Sequence, residues 1–126
     1  MKTAFSIVVL LGFLGLARSE DWFNILAMDG GGIRGLIPAI IIEQMEKYSY
    51  EYATSQGYTF PKYPGRDGVI AMKDMFNMTA GTSTGSIIAA GLVYPNKNNT
   101  AQKEPNFFAV DLIKIYSEMG AQIFMP

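Results

Sequence analysis

Ser83 stands at the centre of Gly81-Thr82-Ser83-Thr84-Gly85, between a short apolar run, Met75–Ala80, and a second run, Ser86–Val93, rich in Ile, Ala and Gly. A strand that turns sharply into a helix, with a serine at the apex and small residues on both sides, is the layout of a nucleophile elbow. Such a turn strains the serine backbone, and the flanking glycines let helix and strand pass close together without a clash. Gly81, Thr82, Thr84 and Gly85 are the elbow positions and Ser83 is the candidate nucleophile. Gly and Ser also collect in ordinary turns, so this motif alone leaves both readings open.

A second motif, Asp29-Gly30-Gly31-Gly32-Ile33-Arg34-Gly35, follows the apolar stretch Trp22–Met28. Three consecutive glycines are costly in a helix, so the stretch reads as a buried strand ending in a glycine turn. Glycines at a helix start leave backbone N–H groups unpaired, and the helix dipole adds positive potential there. That arrangement stabilises an oxyanion as well as a phosphate. The Gly-x-Gly-x-x-Gly spacing also fits a dinucleotide site, but that fingerprint asks for a second strand ending in an acidic residue about 20 residues on. The sequence is still helical at that distance, and Glu51 lies on the helix. If both glycine turns follow parallel strands, both lie at the carboxyl edge of the sheet, where such folds place their sites.

The remaining elements must hold these turns together. Ile37, Ile40, Ile41, Met45, Tyr48 and Tyr52 recur at helical spacing, with Pro38 in the first turn, and predict an amphipathic helix ending near Gly57. Tyr58–Asp74 reads as a long loop, with a short strand at Gly68–Met72 as one option; a substrate-facing lid and a plain surface excursion both fit. Met75–Ala80 is the second main strand, and a helix runs from Thr84 to about Val93. Tyr94–Asn106 is polar and reads as an exposed connection. Within it Asn98-Asn99-Thr100 is a glycosylation sequon in a surface setting, with Asn98 as candidate acceptor; Asn77-Met78-Thr79 also matches but falls in the strand expected to be buried. Phe108, Leu112, Ile115, Tyr116 and Met119 predict a third amphipathic helix, with Asn106 as its cap and Gly120 as its stop.

Composition narrows the chemistry. The 126 residues carry a net charge of -1 and no basic cluster, which gives no electrostatic footprint for nucleic acid. There is no His and no Cys, so the sequence holds neither a Ser-His-Asp triad, nor a disulfide, nor a Cys/His metal site. No metal and no cofactor is expected. Lys2, the apolar stretch Phe5–Leu16 and the small residues around Ala17-Arg18-Ser19 have the layout of a signal peptide over residues 1–19. The apolar run is shorter than the roughly 20 residues that span a bilayer, although an N-terminal anchor or a buried helix is the alternative. The reading implies a secreted or endomembrane protein whose mature part, residues 20–126, makes up one domain at most.

Together, Asp29-Gly-Gly-Gly-Ile-Arg-Gly35 and Gly81-Thr-Ser-Thr-Gly85 resemble the N-terminal half of a patatin-like phospholipase domain, and Leu112–Phe124 is similar to the segment after the elbow helix in that family. The resemblance implies a three-layer α/β/α fold, a lipid acyl hydrolase and a membrane or micellar lipid substrate. It implies Ser83 as nucleophile, Gly30, Gly31, Gly32 and Arg34 as the oxyanion-hole stretch, and a Ser–Asp dyad in which the aspartate itself is the base, so that no His is needed. The family's dyad Asp lies in an Asp-Gly-Gly or Asp-Gly-Ala turn well downstream of the elbow, and no such stretch occurs up to Pro126, so the sequence reads as part of a longer domain. Asp67, Asp74 and Asp111 lack that setting, and Asp29 is expected to hold the glycine turn by hydrogen bonds. A storage or lipid-binding protein that keeps this fold without turnover is the alternative from another class.

Overall fold

Two parallel strands carry the two glycine turns. In the computed structural model, which describes residues 22–98 and 103–124, β1 (Ile25–Met28) pairs with β2 (Met78–Gly81), Ile25 opposite Met78 and Met28 opposite Gly81. Both strands therefore end at one edge of the sheet, and both turns leave from it, as expected for an α/β unit. Between them lie a 3₁₀ turn (Gly32–Gly35), the long helix α1 (Leu36–Ser55) and a single helical turn, α2 (Met72–Met75); α3 (Thr84–Val93) and α4 (Ala109–Phe124) follow β2. The stretch read as a signal peptide lies outside the described residues.

The strands are shorter than the apolar runs that announced them. Trp22 and Phe23 precede β1 and are exposed, and pairing is braced at its start by Asn24, whose N–H donates to the Asn77 side chain while its carbonyl accepts from the Asn77 N–H. Met75–Ala80 is not one strand: Met75 closes the α2 turn, where the Phe76 N–H donates to the Met72 carbonyl, and pairing begins only at Met78. Asn77 is thus exposed at the strand's mouth rather than buried within it. The optional strand at Gly68–Met72 does not form.

On α1 the helix is where periodicity puts it, but the buried face differs from the expected one. Ile37, Ile40, Ile41, Tyr48 and Tyr52 are exposed, whereas Ala39, Ile42, Glu46 and Ala53 are buried. Spacing allows two stripes on this helix, and the small side chains of the second let α4 pack closely along it. Ala39, Ile42, Met28, Met72, Ile88, Leu92, Leu112 and Tyr116 form the main core between sheet and helices.

The loop over residues 58–71 is pinned to the body of the protein at two places. Tyr63 and Ala71 are buried with Phe108 in a second apolar cluster, and Ile70 donates its N–H to the Glu46 carbonyl. The connection after α3 is clasped at its base by a bridge between Pro95 and Pro105, leaving Asn98 exposed. Asn106 does not cap α4. The Phe108 N–H donates to Asp111 Oδ2 (2.8 Å) and the Ala109 N–H to the Glu46 carboxylate (3.2 Å), so acids from α4 and α1 satisfy the orphan donors of the first turn. Gly120 does not stop the helix either; it continues to Phe124, and the missing side chain lets α4 approach Ile33 of the 3₁₀ turn.

Candidate active site

Ser83 has φ 52° and ψ −128°, a left-handed-side conformation that side-chain-bearing residues rarely adopt. Such a backbone costs on the order of 1–3 kcal/mol and persists only where its surroundings over-determine it. Here the surroundings are β1 and the first turn of α3. The Thr82 N–H donates to the Met28 carbonyl (3.1 Å), the Gly85 N–H to the Thr82 carbonyl (2.9 Å) and the Ser86 N–H to the Ser83 carbonyl (2.9 Å). The Ser86 hydroxyl donates to that same Ser83 carbonyl. Ser83 remains exposed while Thr84 and Gly85 are buried beneath it.

Glycine is required at the crossing points. A Cβ on Gly81 would lie 2.3 Å from the Gly85 carbonyl group, and one on Gly85 would lie 2.4 Å from the Met28 carbonyl oxygen. Gly30 faces the elbow directly: its Cβ would meet the Thr82 carbonyl oxygen at 2.2 Å, the Thr84 nitrogen at 2.7 Å and the Ser83 Cβ at 2.8 Å. The first glycine turn and the serine turn are therefore in van der Waals contact.

Gly31 and Gly32 both have positive φ, 151° and 60°. The Gly31 N–H donates to Thr84 Oγ1 (3.1 Å), and Arg34 folds back so that its Nε donates to the Gly31 carbonyl (3.3 Å). These bonds hold the turn, and the Asp29 side chain takes no part in them. The Gly32 and Thr84 N–H groups donate to no other group among the described residues. The N-terminus of α3 adds the positive end of its dipole at the same place. Thr84 is linked to α4 as well, because the Tyr116 hydroxyl donates to its carbonyl (3.2 Å). Burial pushes the Tyr116 phenol above its usual value, against a smaller lowering pull from the Thr84 side chain, so it stays a donor.

Next to the elbow, Ile87 of α3 and Leu112, Ile115, Tyr116, Ile123 and Phe124 of α4 line an apolar groove of about 70 Å³. A wider groove of about 490 Å³ on the outer face of α1 touches no elbow residue.

Asp29 flanks the glycine turn, its carbonyl oxygen 3.0 Å from where a Gly85 Cβ would lie, while Asp74 and Asp111 are paired off elsewhere. Asp74 accepts from the Tyr63 hydroxyl (2.9 Å) and pairs with Lys73 (2.6 Å), and Asp111 pairs with Arg66 (2.7 Å). Burial works against the Lys73 charge, yet its bonds to Asp74 and Tyr63 leave it above the usual lysine value. The strand beside β1 ends in Gly81-Thr82-Ser83 with no acidic residue to hold a ribose, which removes the support for a dinucleotide site.

Curated relatives match most of the chain in sequence. Patatin group M-1 and Patatin-B1, both from Solanum tuberosum, are 36% identical to the chain over 108 residues, 86% of its length. The chain belongs to the patatin-like family. It spans 24% of the length of these relatives. No protein-family model matches it, and no solved structure matches it at a significant level.

In this patatin-like chain the structure brings together Ser83, Gly30, Gly31, Thr84, Gly81 and Gly85, sets Gly32 and Arg34 beside them, and leaves Asn98 in the far connection. Tyr116 was missed as part of this cluster. A tyrosine in an apolar stripe needs a partner for its hydroxyl, and that requirement was the available signal.

Proposed function

We propose that the protein is a lipid acyl hydrolase whose nucleophile is Ser83. The observation that carries this reading is the φ 52°, ψ −128° backbone of Ser83, held at the shared edge of both strands with Gly30 packed against it. Strain of this kind at an exposed serine serves attack on a carbonyl better than it serves a plain turn.

In the reaction the Ser83 hydroxyl oxygen adds to the ester carbonyl carbon while its proton passes to a carboxylate base. The carbonyl π electrons move onto oxygen, and the Gly30–Gly32 turn with Arg34 supplies the oxyanion-hole stretch that stabilises it. Collapse expels the alcohol, which takes up the proton, and leaves an acyl-Ser83 ester; water then hydrolyses this by the same two steps. The base is the aspartate of the family's dyad, and no acid of this sequence is assigned to it. The groove at Ile87 and Phe124 is apolar, and its volume of about 70 Å³ has room for only a few methylenes of an acyl chain. The three-layer α/β/α arrangement and entry into the secretory pathway, with Asn98 as glycan acceptor, belong to the same reading.

Labelling tests it. The product of the complete gene, shown to be folded by circular dichroism, is treated with a fluorophosphonate and mapped by peptide mass. Modification at Ser83, lost in Ser83→Ala, is expected; a folded protein that stays unmodified at Ser83 rejects the nucleophile.

A further inference from the structure

We propose that Thr84 is a positioning residue: its side-chain hydroxyl holds the Gly30–Gly32 turn in register with Ser83. This rests on Ser83 as nucleophile. Glycine turns lose more conformational freedom on folding than any other backbone, so a turn that must present donors to a reacting carbonyl needs an anchor from outside itself. Gly31 and Gly32, at φ 151° and 60°, lie beyond the end of the β1–β2 ladder. Among the described residues, the bond from the Gly31 N–H to Thr84 Oγ1 (3.1 Å) is the one side-chain hydrogen bond joining this turn to the elbow, across 53 sequence positions.

Thr84 is built for that task. It is 5% exposed although Thr82 and Ser83 beside it are exposed. Its carbonyl is fixed by the Tyr116 hydroxyl. A Cβ on Gly35 would lie 2.7 Å from that Tyr116 oxygen and 3.0 Å from Thr84 Oγ1, so both hydroxyls close over Gly35, and the glycine turn, the elbow and α4 meet at this one residue. With the Gly31 N–H taken up by Thr84, the donors left for an oxyanion are the N–H groups of Gly32 and of Thr84 itself. The residue after a nucleophile is well placed for this, because its N–H opens the elbow helix.

The test uses the complete gene product with two readouts, amide hydrogen exchange at Gly31 and the rate of fluorophosphonate labelling at Ser83. Thr84→Val and Thr84→Ala both remove the hydroxyl, so misfolding of one leaves the other to be read. Gly31 exchange is expected to accelerate and labelling to slow, each by about tenfold or more. Thr84→Ser is expected to restore both, which a loss of packing alone would not allow. Unchanged Gly31 exchange in the hydroxyl-less variants overturns the tether, and unchanged labelling overturns its positioning role. A folded wild-type protein that does not label rejects the nucleophile, and this role with it; a wild type that labels as fast as Thr84→Val rejects Thr84 alone.

Discussion

Gly30 and Ser83, 53 positions apart, touch: a Cβ on Gly30 would sit 2.8 Å from the Cβ of Ser83. Parallel pairing of β1 with β2 produces this contact, because Met28 and Gly81 are register partners and each strand runs straight into its own turn. Neither glycine motif is specific by itself. Their contact is a property of the sheet.

Gly30→Ala is expected to damage both stability and site. The added methyl would meet backbone atoms, the Thr82 oxygen at 2.2 Å and the Thr84 nitrogen at 2.7 Å, which cannot swing aside as a side chain would. We expect a loss of about 3 kcal/mol or more in urea unfolding, at the upper end of overpacking costs, together with loss of Ser83 labelling. Gly57→Ala is the comparison: φ is +71° but nothing lies within 4 Å, so only the left-handed backbone is penalised, by about 1–2 kcal/mol. Labelling in that variant should match the wild type.

Glu46 makes stability depend on pH in an unusual direction. The side chain is 1% exposed, and its pKa is raised from 4.5 to about 8, chiefly by burial and to a lesser degree by the Asp111 and Glu43 charges, with the Ala109 N–H and Arg66 opposing. The folded protein therefore keeps a proton that the unfolded chain has already lost. Stability is fully present below about pH 4.5 and falls as pH climbs towards 8, by at most about 1.4 kcal/mol per pH unit. Glu46→Gln still offers an oxygen to the Ala109 N–H and has no proton to lose. Its urea midpoint should be flat across that window while the wild-type midpoint declines, and parallel curves would reject the assignment.

The strand–turn–helix at Ser83 was more legible than the packing around it. Ser83, the elbow glycines and the helix from Thr84 were readable because sharp turns restrict residue types severely. The buried face of α1 was not. Ile37, Ile40 and Ile41 outweigh Ala39 and Ala53 in hydrophobicity, yet the two alanines are inside together with Ile42, since close approach of α4 decides the matter and periodicity does not encode it. Glu46, a charged residue that the Ile37–Tyr52 stripe would leave on the outer face, is buried for the same reason. The end of α4 misled in the opposite sense: Gly120 has the composition of a stop but serves as a contact point for Ile33.

Two sequons give opposite expectations under secretory expression. Asn98 is exposed in the connection after α3, whereas the Asn77 side chain accepts the Asn24 N–H (2.8 Å) at the mouth of the strand pair. A glycan would attach at Asn77 Nδ2 while Oδ1 is already tied to the neighbouring strand, so Asn77 is the more constrained acceptor of the two. Asn98→Gln should abolish the mass shift released by a peptide N-glycosidase, and Asn77→Gln should leave it unchanged. A glycan that survives in Asn98→Gln would contradict this.

Phe108 joins the loop over residues 58–71 to the start of α4. It is 1% exposed, its ring lies edge-on to Tyr63 (6.2 Å between centroids), and the Arg66 guanidinium sits 4.6 Å from its centroid while pairing with Asp111. Phe108→Ala removes the shared wall of the second cluster and should cost about 3–5 kcal/mol. The cost should fall on the loop first, because Tyr63 and Ala71 lose their packing while the elbow, anchored through β1 and Tyr116, keeps its own. Limited trypsin digestion should then cut at Lys62 and Arg66 faster than in the wild type, before any change in Ser83 labelling. Simultaneous loss of both would mean that the loop and the elbow unfold as one unit.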